Sequence, residues 1–113
     1  MNAHEFLNDV FYGRANSAFE FTQRDSSTEV YITNLDTYEG FYIECSPETT
    51  EVWSGDGWET PREREVEVYG VSLYSVEFEG EPIQLTEAEV ADLREYLRNE
   101  FYEAANYYGT YDA

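Results

Sequence analysis

Few residues in this chain are equipped for covalent or acid–base chemistry. Its 113 residues contain one histidine, His4, and one cysteine, Cys45. Cys45 continues the alternation of Phe41 and Ile43, which reads as a buried structural thiol rather than a nucleophile. His4 falls in the first turn of a terminal helix and is expected to be solvated, with no cysteine or serine to pair with it. A Ser-His-Asp site therefore has no support. Metal sites need clustered imidazole or thiolate ligands, and the sequence offers none. Its acidic loops lack the Asp-x-Asp-x-Asp-Gly pattern of a calcium loop. Gly55-Asp56-Gly57 has neither a third glycine nor a lysine, so it is a hairpin tip and not a phosphate cradle. No cofactor is expected.

Carboxylates are the exception. Aspartate and glutamate total 25 against 6 basic residues, all arginine, for a net charge of −19. A glycosidase needs only a pair of carboxylates, but so many acids supply suitable pairs by chance, and the chain is expected to be no enzyme. Spacing is more informative. Glu63, Glu65 and Glu67 alternate with Arg64, Val66 and Val68, while Glu77, Glu79 and Glu81 continue from Val76 and Phe78. Alternate strand positions lie about 6.6 Å apart on one face, so these form rows of like charge with a pitch comparable to consecutive phosphates. Asp92, Glu95 and Glu103 add charge to the outer side of a helix. A net charge of about 2 to 8 already suffices for solubility. The excess destabilises a compact chain by self-repulsion, so it points to a basic partner. The same charge excludes nucleic acid and an anionic membrane as direct partners.

Tyrosine is the second anomaly, with 11 in the chain. Most are expected to pack with the hydroxyl at the surface. Tyr31, Tyr42 and Tyr69, however, run out of phase with the apolar residues of their strands, which puts them on the exposed face. Tyrosine there suits protein binding, because it offers large contact area at low entropic cost. Trp53 and Trp58 flank Ser54-Gly55-Asp56-Gly57 and read either as a pair facing each other across a hairpin or as an exposed binding anchor.

These residues need elements to hold them. Asn2 with Glu5 has capping-box spacing, Phe6, Leu7, Val10 and Phe11 make an apolar stripe, and Gly13 supplies a stop, which predicts a helix from Ala3 to about Tyr12. From Ala18 to Ile83 the period is two: Phe19 and Phe21, Val30 and Ile32, Phe41, Ile43 and Cys45, Val66 and Val68, then Tyr74, Val76 and Phe78. Turn residues separate the runs at 25–27, 36–40, 46–47, 54–57 and 79–82, and such short connections favour antiparallel hairpins. Gly70 reads either as a bulge in one long bent strand or as a break between two. Thr86 and Glu89 form a capping box, Leu85 and Val90 a hydrophobic staple. Val90, Leu93, Leu97, Phe101, Ala104 and Tyr108 then make the stripe of a helix from Glu87 to about Tyr107, ending near Gly109. Glu87, Asp92, Glu95, Asn99, Glu103 and Asn106 are expected on its other side.

The expected architecture is α+β: an antiparallel sheet of about 4–6 strands, a short N-terminal helix and a longer C-terminal one, in a single domain spanning 1–113. Its 42% hydrophobic and 18% aromatic content supports one modest core and argues against disorder. No apolar run approaches the roughly 18 residues of a spanning helix. The start of the chain does not read as a secretory signal, and a single cysteine suits a reducing compartment. A cytoplasmic location is expected.

The stretch Val71–Val90, with a strand, a short turn and Leu85-Thr86-x-x-Glu89 opening an acidic helix, resembles the ending of many small phage proteins. In charge more than in sequence, the chain is similar to phage-encoded DNA mimics that inhibit restriction, CRISPR or repair enzymes. The resemblance implies a non-enzymatic inhibitor that acts in the host cytoplasm on a basic, nucleic-acid-binding protein. A halophilic origin fits less well, because 19 of the acids are glutamate and only 6 aspartate. An acidic interaction or assembly module without nucleic-acid mimicry remains the alternative.

Overall fold

The computed structural model describes residues 2–59 and 61–108. Helix α1, Ala3–Phe11, is followed by strands β1, Ser17–Gln23, β2, Thr28–Asn34, β3, Gly40–Ser54, β4, Glu63–Phe78, and β5, Glu81–Pro82. Helix α2, Glu87–Glu103, runs into a π-helical segment, Ala104–Tyr108. The strands form one five-stranded antiparallel sheet in the order β1-β2-β3-β4-β5, each paired with its sequence neighbour. The expected α+β architecture is thus observed.

Local signals account for the helix ends. Asn2 accepts a hydrogen bond from the Glu5 N–H at 2.8 Å, and Gly13 takes a left-handed φ of 69° just past the last turn of α1. At α2 the Thr86 hydroxyl accepts from the Glu89 N–H while the Glu89 carboxylate accepts from the Thr86 N–H, closing the capping box. The expected approach to Gly109 lies outside the described residues.

Both helices pack on one face of the sheet. Phe6, Leu7 and Val10 of α1 and Leu93, Leu97 and Phe101 of α2 are buried with Val30, Ile32, Phe41, Ile43, Cys45 and Val68. Phe6 stacks on Phe41 at 5.9 Å, and Phe101 meets Phe21 edge-on at 5.3 Å. Burying each such side chain contributes about 1.5–3 kcal/mol. Because α2 touches β1 through Phe101 and β4 through Tyr102, the sheet curves around it. The opposite, convex face has no helix over it.

In β3 and β4 the structure overturns one sequence reading and decides another. Ser46-Pro47 is not a break: β3 continues through it, pairing Pro47 with Val71. Gly70 lies within a single strand, opposite Glu48. The register shifts between Glu44 and Cys45 and between Glu48 and Thr49, leaving Tyr74 and Tyr69 as the extra residues on β4. These bulges reconcile a 16-residue strand with a curved sheet. They also explain its apolar pattern, in which Val66 and Val68, Val71 and Leu73, and Val76 and Phe78 step by two but are joined by steps of three.

Beyond the core, Asn106 protects the outer edge of β4. Its side-chain amide donates to the Val66 carbonyl at 2.8 Å and its side-chain oxygen accepts from the Val66 N–H at 2.9 Å, as a neighbouring strand would. Asn106 thus turns toward the sheet, contrary to its expected solvated position, because the π-helical segment rotates it away from the regular helical phase.

Candidate functional site: the open face of the sheet

Alternation fixes what the convex face carries. With Phe19, Ile32, Phe41 and Phe78 directed into the core, register places Glu20, Tyr31, Tyr42 and Glu77 side by side in one row across four strands. One row along, Glu29 of β2 stands directly opposite Glu44 of β3, between Thr22 and Ser75. Toward the hairpin tip, Glu48 and then Glu67, Glu65 and Glu63 continue on the same side, opposite in phase to the buried Val66 and Val68. Adjacent strands lie about 4.8 Å apart, so like charges here are near neighbours, an arrangement that is destabilising by itself.

Contacts within the face are sparse. Tyr31 and Tyr42 bring their ring centroids to 5.3 Å, and the Tyr31 hydroxyl reaches Glu29 at 3.4 Å. Burial, and then the nearby charges of Glu29 and Glu44, hold the Tyr42 hydroxyl above the ordinary tyrosine range. Ser27 donates to Glu44 at 3.1 Å and Ser72 to Glu48 at 3.1 Å. Arg24, at the rim, approaches Glu29 at 3.5 Å. The remaining arginines stand elsewhere. Arg14 is beside Tyr12, Arg62 lies over Trp53, Arg64 pairs with Glu51 on the helix side of the sheet, and Arg94 and Arg98 are on α2. The arginines therefore stand mostly off the open face, with Arg94 and Arg98 bordering its β4 edge near Glu48.

The candidate residues named from sequence divide accordingly. Glu63, Glu65, Glu67, Glu77, Tyr31 and Tyr42 share the open face, although Glu65 also accepts a hydrogen bond from the Tyr102 hydroxyl at the edge of β4. Tyr69 is 66% exposed, but as a bulge residue rather than by simple alternation. The expected row of Glu77, Glu79 and Glu81 does not form. The strand ends at Phe78, and Glu79-Gly80, with φ of 53° and 80°, makes a two-residue turn of the I′ kind. Glu79 there accepts from the Gly40 N–H at 2.7 Å, so it holds the turn and is not a free charge. Asp92, Glu95 and Glu103 sit on α2, away from the open face, with Glu95 gripped by Arg98 at 2.5 and 3.1 Å.

The open face also carries Glu20, Glu29, Glu44 and Glu48, which were not among the residues selected from sequence. Their signal was present: Glu20 lies between Phe19 and Phe21, and Glu44 between Ile43 and Cys45. The structure also decides between the two readings of the tryptophans. Trp53 and Trp58 do not form a cross-strand pair, because Trp53 lies opposite Arg64 with Arg62 over its ring at 5.5 Å. Trp58 sits in the turn and is 93% exposed. His4 is 48% exposed, as expected, and its Nδ1 also lies 2.7 Å from Glu89.

Concave sites lie along the β4 edge, where Glu48 and Tyr69 share a hollow with Arg94 and Arg98 of α2. A groove of about 860 Å³ runs between the β4–β5 end of the sheet and α2, lined by Leu73, Val76, Ile83, Leu85, Val90 and Arg94, with Glu77 its one carboxylate. Among the described residues no cluster of three or more His, Cys, Asp or Glu could share a metal ion, and no helix is long and apolar enough to cross a membrane. No protein-family model matches the chain, and neither a curated protein nor a solved structure matches it significantly.

Proposed function

We propose that this chain is a non-enzymatic binding protein that occupies the basic, nucleic-acid-binding surface of another protein by presenting carboxylates in place of phosphates. The observation that carries this reading is the concentration of carboxylates on one uncovered face. That face bears Glu20, Glu29, Glu44, Glu48, Glu63, Glu65, Glu67 and Glu77, with Arg24 at its rim and Arg94 and Arg98 reaching only its β4 edge, near Glu48 and Glu77. Repulsion between Glu29 and Glu44 opposes folding, and a basic partner would relieve it. The absence of lysine supports the same reading, because a lysine within the footprint would repel the target. The resemblance to phage-encoded DNA mimics supports a host defence or DNA-processing enzyme as the target.

The test is capture of partners from bacterial lysate at low and at high salt, followed by competition with duplex DNA or RNA. Basic nucleic-acid-binding proteins should be retained at low salt, released at high salt and displaced by nucleic acid. A partner that binds alongside saturating nucleic acid would overturn mimicry. It would favour the second reading, an acidic interaction protein without mimicry, which the exposed Trp58 supports as an uncharged anchor.

A further inference from the structure

Resting on the basic-partner reading, we infer that the centre of the open face recognises arginine side chains specifically, through the row Glu20, Tyr31, Tyr42 and Glu77. Charge mimicry alone requires only carboxylates, yet the middle of this face is given to two tyrosines with rings 5.3 Å apart. Tyr31 is 40% exposed and Tyr42 half-buried, with no helix over the pair. Each ring has a carboxylate one strand away in the same row: Glu20 beside Tyr31, Glu77 beside Tyr42.

That spacing suits a guanidinium. A planar guanidinium can lie on a tyrosine ring while its N–H edge donates to a carboxylate at the side, so both interactions form at once. A lysine ammonium is a compact, strongly hydrated point charge that has no planar edge to offer the acid while it sits over the ring. The chain itself shows both halves of this geometry. Arg14 stands over Tyr12 at 5.0 Å and Arg62 over Trp53 at 5.5 Å. At the rim, Arg24 approaches Glu29, the carboxylate that also meets the Tyr31 hydroxyl. The partner is therefore one whose nucleic-acid-binding surface is built on arginine.

Oligo-arginine and oligo-lysine peptides of equal length, titrated against the full chain at low salt, test this directly. Oligo-arginine should bind about five- to tenfold more tightly. Replacing both tyrosines (Y31L/Y42L) should bring oligo-arginine down to the oligo-lysine level and leave oligo-lysine within about twofold. The Y31F/Y42F variant, which keeps the rings, should retain the preference and serves if the leucine variant fails to fold. Equal affinity of the native chain for the two peptides would overturn arginine recognition while the basic-partner reading stands. Binding to neither peptide would overturn both.

Discussion

His4 Nδ1 lies 2.7 Å from Oε2 of Glu89, joining the first turn of α1 to the first turn of α2. The side chain of Glu89 is only 10% exposed and also accepts from the Thr86 N–H, so one carboxylate caps α2 and ties the helices together. Burial raises its proton affinity, but the Thr86 backbone N–H and His4 outweigh that and hold it below the usual glutamate range. A carboxyl with a lowered folded-state pKa contributes stability above its unfolded value, and that contribution is lost as pH falls through the folded value. Glu89→Ala should therefore cost about 1–3 kcal/mol at neutral pH. The deficit relative to the native chain should shrink on acidification below about pH 4.5, as followed by urea denaturation across pH.

Removing Asn106 should loosen β4 at one point. Val66 is 1% exposed, and both of its outward backbone groups are satisfied by this side chain. Asn106→Leu should cost about 2–3 kcal/mol, because a buried donor and acceptor lose their partners. Amide hydrogen exchange should show the Val66 N–H losing protection more than its neighbours, and unchanged exchange there would contradict the role.

The opposed pair Glu29 and Glu44 predicts a conflict between stability and binding. Glu44→Gln keeps an acceptor for Ser27 but removes one of two charges facing each other across β2 and β3. Thermal stability at low salt should rise by about 0.2–1 kcal/mol. Affinity for the captured basic partner should fall. A variant that gained neither stability nor lost affinity would show that this pair carries no functional charge.

Added salt should raise the melting temperature of the native chain. Nineteen net negative charges repel one another, and moderate ionic strength screens charges separated by more than about 10 Å. Differential scanning calorimetry over a sodium chloride series is the measurement. A flat or falling response would mean that the charges are balanced locally.

Cys45 should resist alkylation in the folded chain. It is fully buried, and burial, reinforced by the charge of Glu44, pushes its thiol up to about 12. Thiolate is the reactive form, so labelling with iodoacetamide at neutral pH should proceed only at the rate of opening. Rapid labelling of the native protein would place the thiol nearer to solvent than the sheet allows.

The sequence by itself determined the elements and their inward faces. Period-two runs of Val, Ile and Phe, the Thr86–Glu89 capping box and the stripe from Val90 to Phe101 are local patterns, and local sterics and hydrogen bonding read them without help. The bulges are less legible, since a period-two reading puts Tyr74 in phase with Val76 and Phe78 whereas register makes it an extra residue, 58% exposed. Tyr31 and Tyr42 were correctly placed on the outer face, because alternation depends only on the pleat.

Tertiary structure alone decided which charges stand together. Glu29 and Glu44 are 15 positions apart in the chain (44 − 29) and meet only through the register of β2 on β3. The row Glu20, Tyr31, Tyr42 and Glu77 exists only because four strands align. Conversely, Glu79 looked like the continuation of a charged row and became a turn residue, because a two-residue hairpin reversed the chain at that point. The partners of His4 and Asn106 were hidden for the same reason: Glu89 and the backbone of Val66 are 85 and 40 positions away. Periodicity tells a residue which side of its own strand or helix it occupies. Which neighbours share that side is fixed by strand register and by how the helices pack on the sheet, and these are non-local.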